Sequence, residues 1–152
     1  VASVGPSVAS IYGRPLKLGR AACIGISQSG QSPDIVGMMR AASTGGALTV
    51  AVTNVPESPL ALVSDHCLPL RAAKETSVAA TKTFVTSVLA GLALLAEWLD
   101  DADLRRGIQA LPDHFRTALT LDWSPLAARL ARSQSAFVLG AGRPLPLLPK
   151  LR

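Results

Sequence analysis

The sequence predicts an α/β protein: a three-layer αβα arrangement built on a doubly wound, mostly parallel sheet. Three observations lead there. Short apolar runs, ACIGIS (22–27), ALTVAVTN (47–54) and SAFVLGAG (135–142), are too short for helices and end in small or turn-forming residues. Between them lie segments whose apolar residues recur at helical spacing. Strands alternating with helices need crossover connections, which give parallel strands covered by helices.

Taken in order, ACIGIS is the first strand, expected to be buried on both faces, and Ile35, Met38, Met39 and Ala42 follow on one side of a helix that STGG closes. ALTVAVTN is the second strand, and VPESP breaks it with two prolines. HCLPL (66–70) carries a weaker strand signal. From Ser77 onward, Val78, Val85, Val88, Leu89, Leu92, Leu95 and Leu99 make a long helical stripe. DADLRRGIQALPDHFRTAL and SPLAARLAR read as two further helices, the second capped by Ser124 with Pro125 in its first turn. SAFVLGAG is the last predicted strand.

Composition narrows the classes of function. With 152 residues, 49% hydrophobic and 16% charged, the chain can bury a real core. Its net charge of +5 comes from scattered single Arg residues, without a basic run interleaved with aromatics, so a solvated surface is expected and no nucleic-acid partner. Cys23 and Cys67 lie in apolar runs without metal or redox spacing; buried, reduced thiols in a cytoplasmic protein are expected, with no metal and no cofactor. The longest apolar stretch, Phe84 to Leu99, is interrupted by Thr86, Ser87, Gly91 and Glu97, and neither a membrane span nor a signal-peptide pattern is read.

The candidate site is GISQSGQSPD (25–34), where the first strand passes into the first helix. The free N–H groups and positive dipole end of a helix start favour an anion. Ser27, Gln28, Ser29 and Ser32 add side-chain donors, and Gly30 lets the turn close tightly. Ser32 before Pro33 also reads as an N-cap and N1 pair. A phosphate could be held here without a local cation, although a solvated turn with an ordinary cap has the same composition. The run lacks the GK[ST] ending of a P-loop and the GxGxxG of a dinucleotide site, which favours a small phosphorylated metabolite over a nucleotide.

A second stretch, KETSVAATKTF (74–84), places Glu75 just before an expected helix start, with Thr76 or Ser77 as cap and Thr81 and Lys82 in the first turns. Together with ISQSGQSPD it strongly resembles the sugar isomerase (SIS) domain family, from about SIYGRPL through FVLGAG. The likeness is to the isomerase half of glucosamine-6-phosphate synthase and to glucosamine-6-phosphate deaminases, with SQSGQSPD and SVAATKTF nearer the deaminase branch.

The resemblance implies that Ser27, Gln28, Ser29, Gly30 and Ser32 grip the phosphate of a sugar phosphate, and that the segment from Glu75 to Val78, with Ser77 and Val78, lines the sugar. Glu75 is expected to orient the substrate or handle a proton rather than to act as the main base; Lys82 is expected to be structural. His66 and His114 match no family motif and read as strand-edge and helix-surface residues. The family carries two SIS domains in tandem. By that pattern residues 1–133 are a partial first SIS domain and 134–152 the truncated start of a second, so the SIS-type fold is incomplete at both ends. The main base and the ring-opening His are then expected beyond Arg152, and the chain alone should turn over little. The implied activity is conversion of glucosamine 6-phosphate to fructose 6-phosphate and ammonia. Two alternatives are the isomerase part of a glutamine-dependent aminotransferase and a non-catalytic sugar-phosphate sensor. A homodimer is also implied.

Overall fold

The computed structural model of the chain describes residues 16–76 and 80–133. The apolar runs become strands where they were expected: β1 (Ala22–Ser27), β2 (Leu48–Thr53) and β3 (His66–Pro69). Helix α1 (Pro33–Thr44) and the single-turn α2 (Pro59–Leu62) connect them. The sheet is parallel, in the order β1-β2-β3. Stepping one strand at a time in one direction, with the usual right-handed crossovers, puts both connecting helices on the same face. The core shows them there: Met39 of α1 and Leu60 and Ala61 of α2 pack on Ala51 of β2, with Cys23 and Cys67 beside them.

VPESP does more than break β2. Ser58 caps α2, its hydroxyl accepting the Ala61 N–H at 3.4 Å, and Pro59 supplies the first helical residue. This is the Ser-Pro pairing that reads as a helix start at Ser32 and Pro33, and it was legible at Ser58 by the same rule.

Burial departs from expectation on one side of the sheet. The middle of β2 is enclosed on both faces, Ala51 and Val52 being 0% and 3% exposed. In β1, Ile24 and Ile26 are 40% and 51% exposed, because they point away from the face that α1 and α2 cover. The third helix, α3 (Lys82–Trp98), meets the sheet mainly at β2. Its predicted stripe is only half enclosed: Val85, Val88 and Leu95 are exposed, while Thr83 and Ala96 are buried.

A further difference is the start of α3 at Lys82 rather than near Ser77. Residues 77–79, the predicted strand at 135–142 and the expected second-domain start at 134–152 lie outside the described residues. His66 is exposed on β3 and His114 on helix α4 (Ala102–Leu119), as expected for surface groups.

The chain divides into two compact units, the boundary falling after Ala110. In the first, the Arg105 guanidinium holds Glu97 through two hydrogen bonds of 2.8 and 3.0 Å and Asp100 at 2.9 Å, closing the corner between α3 and α4. These bonds depress the Glu97 carboxyl. In the second, α5 (Ser124–Leu130) begins at Ser124 instead of being capped by it. The N-cap position is Trp123, and Asp122 before it accepts the Ser124 N–H at 3.0 Å, which lowers the Asp122 pKa.

Cys23 and Cys67 are free and half-buried rather than fully enclosed. The Cys23 thiol lies 3.6 Å from the Met39 sulfur, and burial raises the pKa of both thiols, so neither is a ready nucleophile. Among the described residues no helix is long and apolar enough to cross a membrane.

Candidate functional site at the carboxyl ends of the strands

Ser27, Thr53 and Pro69 are paired across the sheet, so the three strands end level. The loops that follow, 28–32, 54–58 and 70–76, therefore gather at one edge, where open parallel sheets bind their ligands.

The first loop is shaped by its own hydroxyls. Ser27 Oγ accepts the Gly30 N–H at 3.1 Å, and Ser29 Oγ accepts the Gln31 N–H at 3.4 Å. A hydroxyl that accepts from the backbone still has its proton to donate. Both serines can thus direct an O–H toward an anion while they hold the turn.

Gly30 has φ +63° and is buried against Ser58, whose hydroxyl occupies the space a Cβ would need. Its carbonyl accepts the Leu60 N–H at 3.0 Å, tying the loop to α2. Glycine is the residue this position requires. Closer to the strand, a Cβ on Gly25 would lie 3.0 Å from the Met39 sulfur, so glycine here lets α1 approach β1 and fixes the loop's exit.

Ser32 differs from its predicted role. It occupies the N-cap position with Pro33 after it, but its hydroxyl makes no capping bond. Its carbonyl accepts the Val36 N–H at 3.0 Å, and the Asp34 and Ile35 N–H groups are not taken up by the Ser32 side chain. Among the described residues the helix end is thus left without a side-chain cap. Gln28 contributes through its backbone as well: its carbonyl accepts the Asn54 N–H at 3.1 Å and the Thr53 hydroxyl at 3.3 Å.

Composition gave no reason to single out Thr53 and Asn54, yet they join the loops. Leu70 donates its N–H to the Thr53 carbonyl at 2.9 Å. The Asn54 side chain accepts the Ala72 N–H at 2.8 Å and donates to the Ala73 carbonyl at 2.6 Å. The segment it grips is strained, with φ of +51° at Arg71 and +54° at Ala73. Each such non-glycine residue costs about 1–3 kcal/mol and persists only where its surroundings impose it. An asparagine at the end of a strand, before a turn, was the one signal available in the sequence.

Glu75 is half-buried. Its carboxylate accepts the Thr83 N–H at 3.2 Å and the Thr83 hydroxyl at 3.4 Å, so it serves the first turn of α3 from outside the helix. Lys82 Nζ donates to the Lys74 carbonyl at 2.7 Å, in keeping with its expected structural role. The predicted sugar-lining residues Ser77 and Val78 lie outside the described residues. The structure thus brings Ser27, Gln28, Ser29, Gly30 and Ser32 together in one loop and places Glu75 at the end of another.

The parallel sheet with its connecting helices is the fold of solved phosphosugar isomerase structures. The chain belongs to the SIS domain family, which matches residues 20–97. It is similar to the glutamine–fructose-6-phosphate aminotransferases (isomerizing) of Pyrobaculum aerophilum, at 40% identity over 82% of this chain and 22% of that one, and of Bradyrhizobium diazoefficiens, at 39% over 88% and 24%. It therefore spans about a quarter of the length of these curated relatives. The crystal structure of a candidate phosphosugar isomerase from Silicibacter pomeroyi DSS-3 matches with a TM-score of 0.80 and 54% identity, over 87% of this chain and 41% of that one. Another from Bacillus subtilis, at 21% identity and a TM-score of 0.61, shares the fold.

Proposed function

We propose that the chain binds the phosphate of an amino-sugar phosphate in its 27–32 loop and belongs to an isomerase that converts glucosamine 6-phosphate to fructose 6-phosphate with release of ammonia. One observation carries this reading: Ser27 and Ser29 are fixed by accepting backbone N–H groups, and among the described residues their hydroxyl protons have no acceptor, beside a helix start that Ser32 leaves uncapped. Ring opening and a proton shift between C1 and C2 require the sugar to be anchored at one end while acid and base groups work at the other. The serine loop is the anchor. Glu75, already committed to Thr83, orients the sugar-lining segment rather than acting as the main base.

A second reading, the isomerase part of a glutamine-dependent aminotransferase, is favoured by the curated relatives. Against it, the matched stretch forms 41% of the 54%-identical isomerase chain but 22% of the aminotransferase, so the more similar of the two proteins is the shorter. A sugar-phosphate sensor would bind without turnover.

Ser29→Ala tests the anchor. A hydrogen bond to a charged phosphate is worth about 1.5–3 kcal/mol. The dissociation constant for glucosamine 6-phosphate, measured by calorimetry, should rise about 10- to 100-fold, with residual binding of unphosphorylated glucosamine unchanged. Equal weakening of both sugars would remove the phosphate from this loop.

A further inference from the structure

We propose that Asn54 is a positioning residue that holds the Leu70–Glu75 segment in register with the serine loop, so that a sugar anchored by its phosphate meets its remaining contacts. The inference rests on the sugar-phosphate reading above. Asn54 sits at the end of the central strand and faces both loops. Its N–H binds the Gln28 carbonyl, and its side chain binds Ala72 and Ala73.

An asparagine that merely shaped its own turn would bond to backbone two residues on. Here the side-chain partners are 18 and 19 residues away. The carboxamide offers one acceptor and one donor to a backbone that needs both, and that backbone has left-handed φ at Arg71 and Ala73. Neither alanine nor arginine favours that conformation, so an outside clamp must select it. Glu75 follows two residues later and reaches Thr83, which places the clamp upstream of the only carboxylate in the 70–76 segment.

The two loops respond differently when the side chain is removed. The bond to Gln28 uses backbone atoms and survives substitution, whereas both bonds to 72 and 73 are lost. Asn54→Ala should therefore leave the phosphate anchor intact and release the sugar side. The test measures dissociation constants of the full chain for inorganic phosphate and for glucosamine 6-phosphate, with amide exchange at Ala72 as a readout that needs no ligand. The sugar phosphate should weaken about tenfold or more, phosphate by less than about twofold, and exchange at Ala72 should quicken. Adding Ala73→Gly to Asn54→Ala should restore part of the affinity, because glycine takes the left-handed conformation unaided.

Where Asn54→Ala does not fold, Asn54→Leu, which keeps the side-chain volume and loses both bonds without adding a charge beside the serine loop, gives the same comparison. Equal loss for both ligands, unchanged sugar-phosphate affinity, or no recovery on adding Ala73→Gly would each overturn the assignment to Asn54. A wild-type chain that binds neither ligand would overturn the sugar-phosphate reading and this role together.

Discussion

Gly30→Ala strikes the place where the serine loop, α2 and the strand ends meet. Two costs follow from the structure. The first is conformational: at φ +63° an alanine costs about 1–2 kcal/mol relative to its preferred regions. The second is steric, since the new Cβ would overlap the Ser58 Oγ and Cβ and lie 3.2 Å from the Leu60 Cβ. Ser58 is 2% exposed and followed by Pro59, so it cannot swing out to solvent. Relief means separating the two backbones, at the expense of the Leu60 to Gly30 hydrogen bond, the Ser58 cap or both, each about 1 kcal/mol. The sum is about 2–4 kcal/mol. In a chain of this size that lowers the melting temperature by about 5–15 °C. Urea unfolding should show a lower midpoint at an unchanged slope. Ser58→Gly removes the side chain that blocks the Cβ, so the double variant should lose less than the two single variants together, by about 1–2 kcal/mol. A Gly30→Ala protein within about 0.5 kcal/mol of wild type, or strict additivity in the cycle, would show that the close approach of loop and α2 is not maintained in solution.

Asp65 and Glu75 give two further expectations. The Asp65 carboxylate accepts the Thr49 N–H and hydroxyl, both at 2.8 Å, and these bonds, the N–H foremost, hold its pKa below the ordinary carboxylate range. Such a group stabilises the fold above its unfolded pKa, and that contribution is lost as pH falls through the lower folded value. Urea midpoints should therefore fall on acidification below about pH 4, and Asp65→Asn should flatten that part of the curve; identical slopes would detach Asp65 from the acid response. Glu75→Ala leaves the Thr83 N–H, on a residue 2% exposed, without its acceptor and should cost about 0.5–2 kcal/mol in urea, with Glu75→Gln losing less because one acceptor oxygen remains. Wild-type stability in Glu75→Ala would rule out a role at the start of α3.

Much of the fold was legible because strands and helix faces are written locally. ACIGIS and LTVAVT are strands because each is a short apolar run bounded by turn formers, and β1 has the predicted bounds. The serine loop could be read from one contiguous stretch for the same reason: its two shaping bonds join residues two and three apart. The tandem of this loop with KETSVAATKTF also carried the family. Where a feature depended on residues distant in sequence, local reading stopped short. The apolar stripe running back to Val78 suggested a helix from Ser77, but periodicity cannot say where a helix begins; the start at Lys82 goes with a carboxylate eight residues before Thr83.

Tertiary structure alone decided the rest. The exposure of Ile24 and Ile26 follows from which face the crossover helices cover, a property of sheet order and handedness rather than of the run ACIGIS. Asn54 became a junction because parallel register brings the ends of β1, β2 and β3 level, so that Gln28 and Ala73, 26 and 19 positions from it in sequence, come within reach of its own N–H and its side chain. A sequence pattern records what neighbours along the chain can do for each other. The pairing of strands determines which distant backbone groups are left facing one another, and a single carboxamide can satisfy them only once that pairing exists.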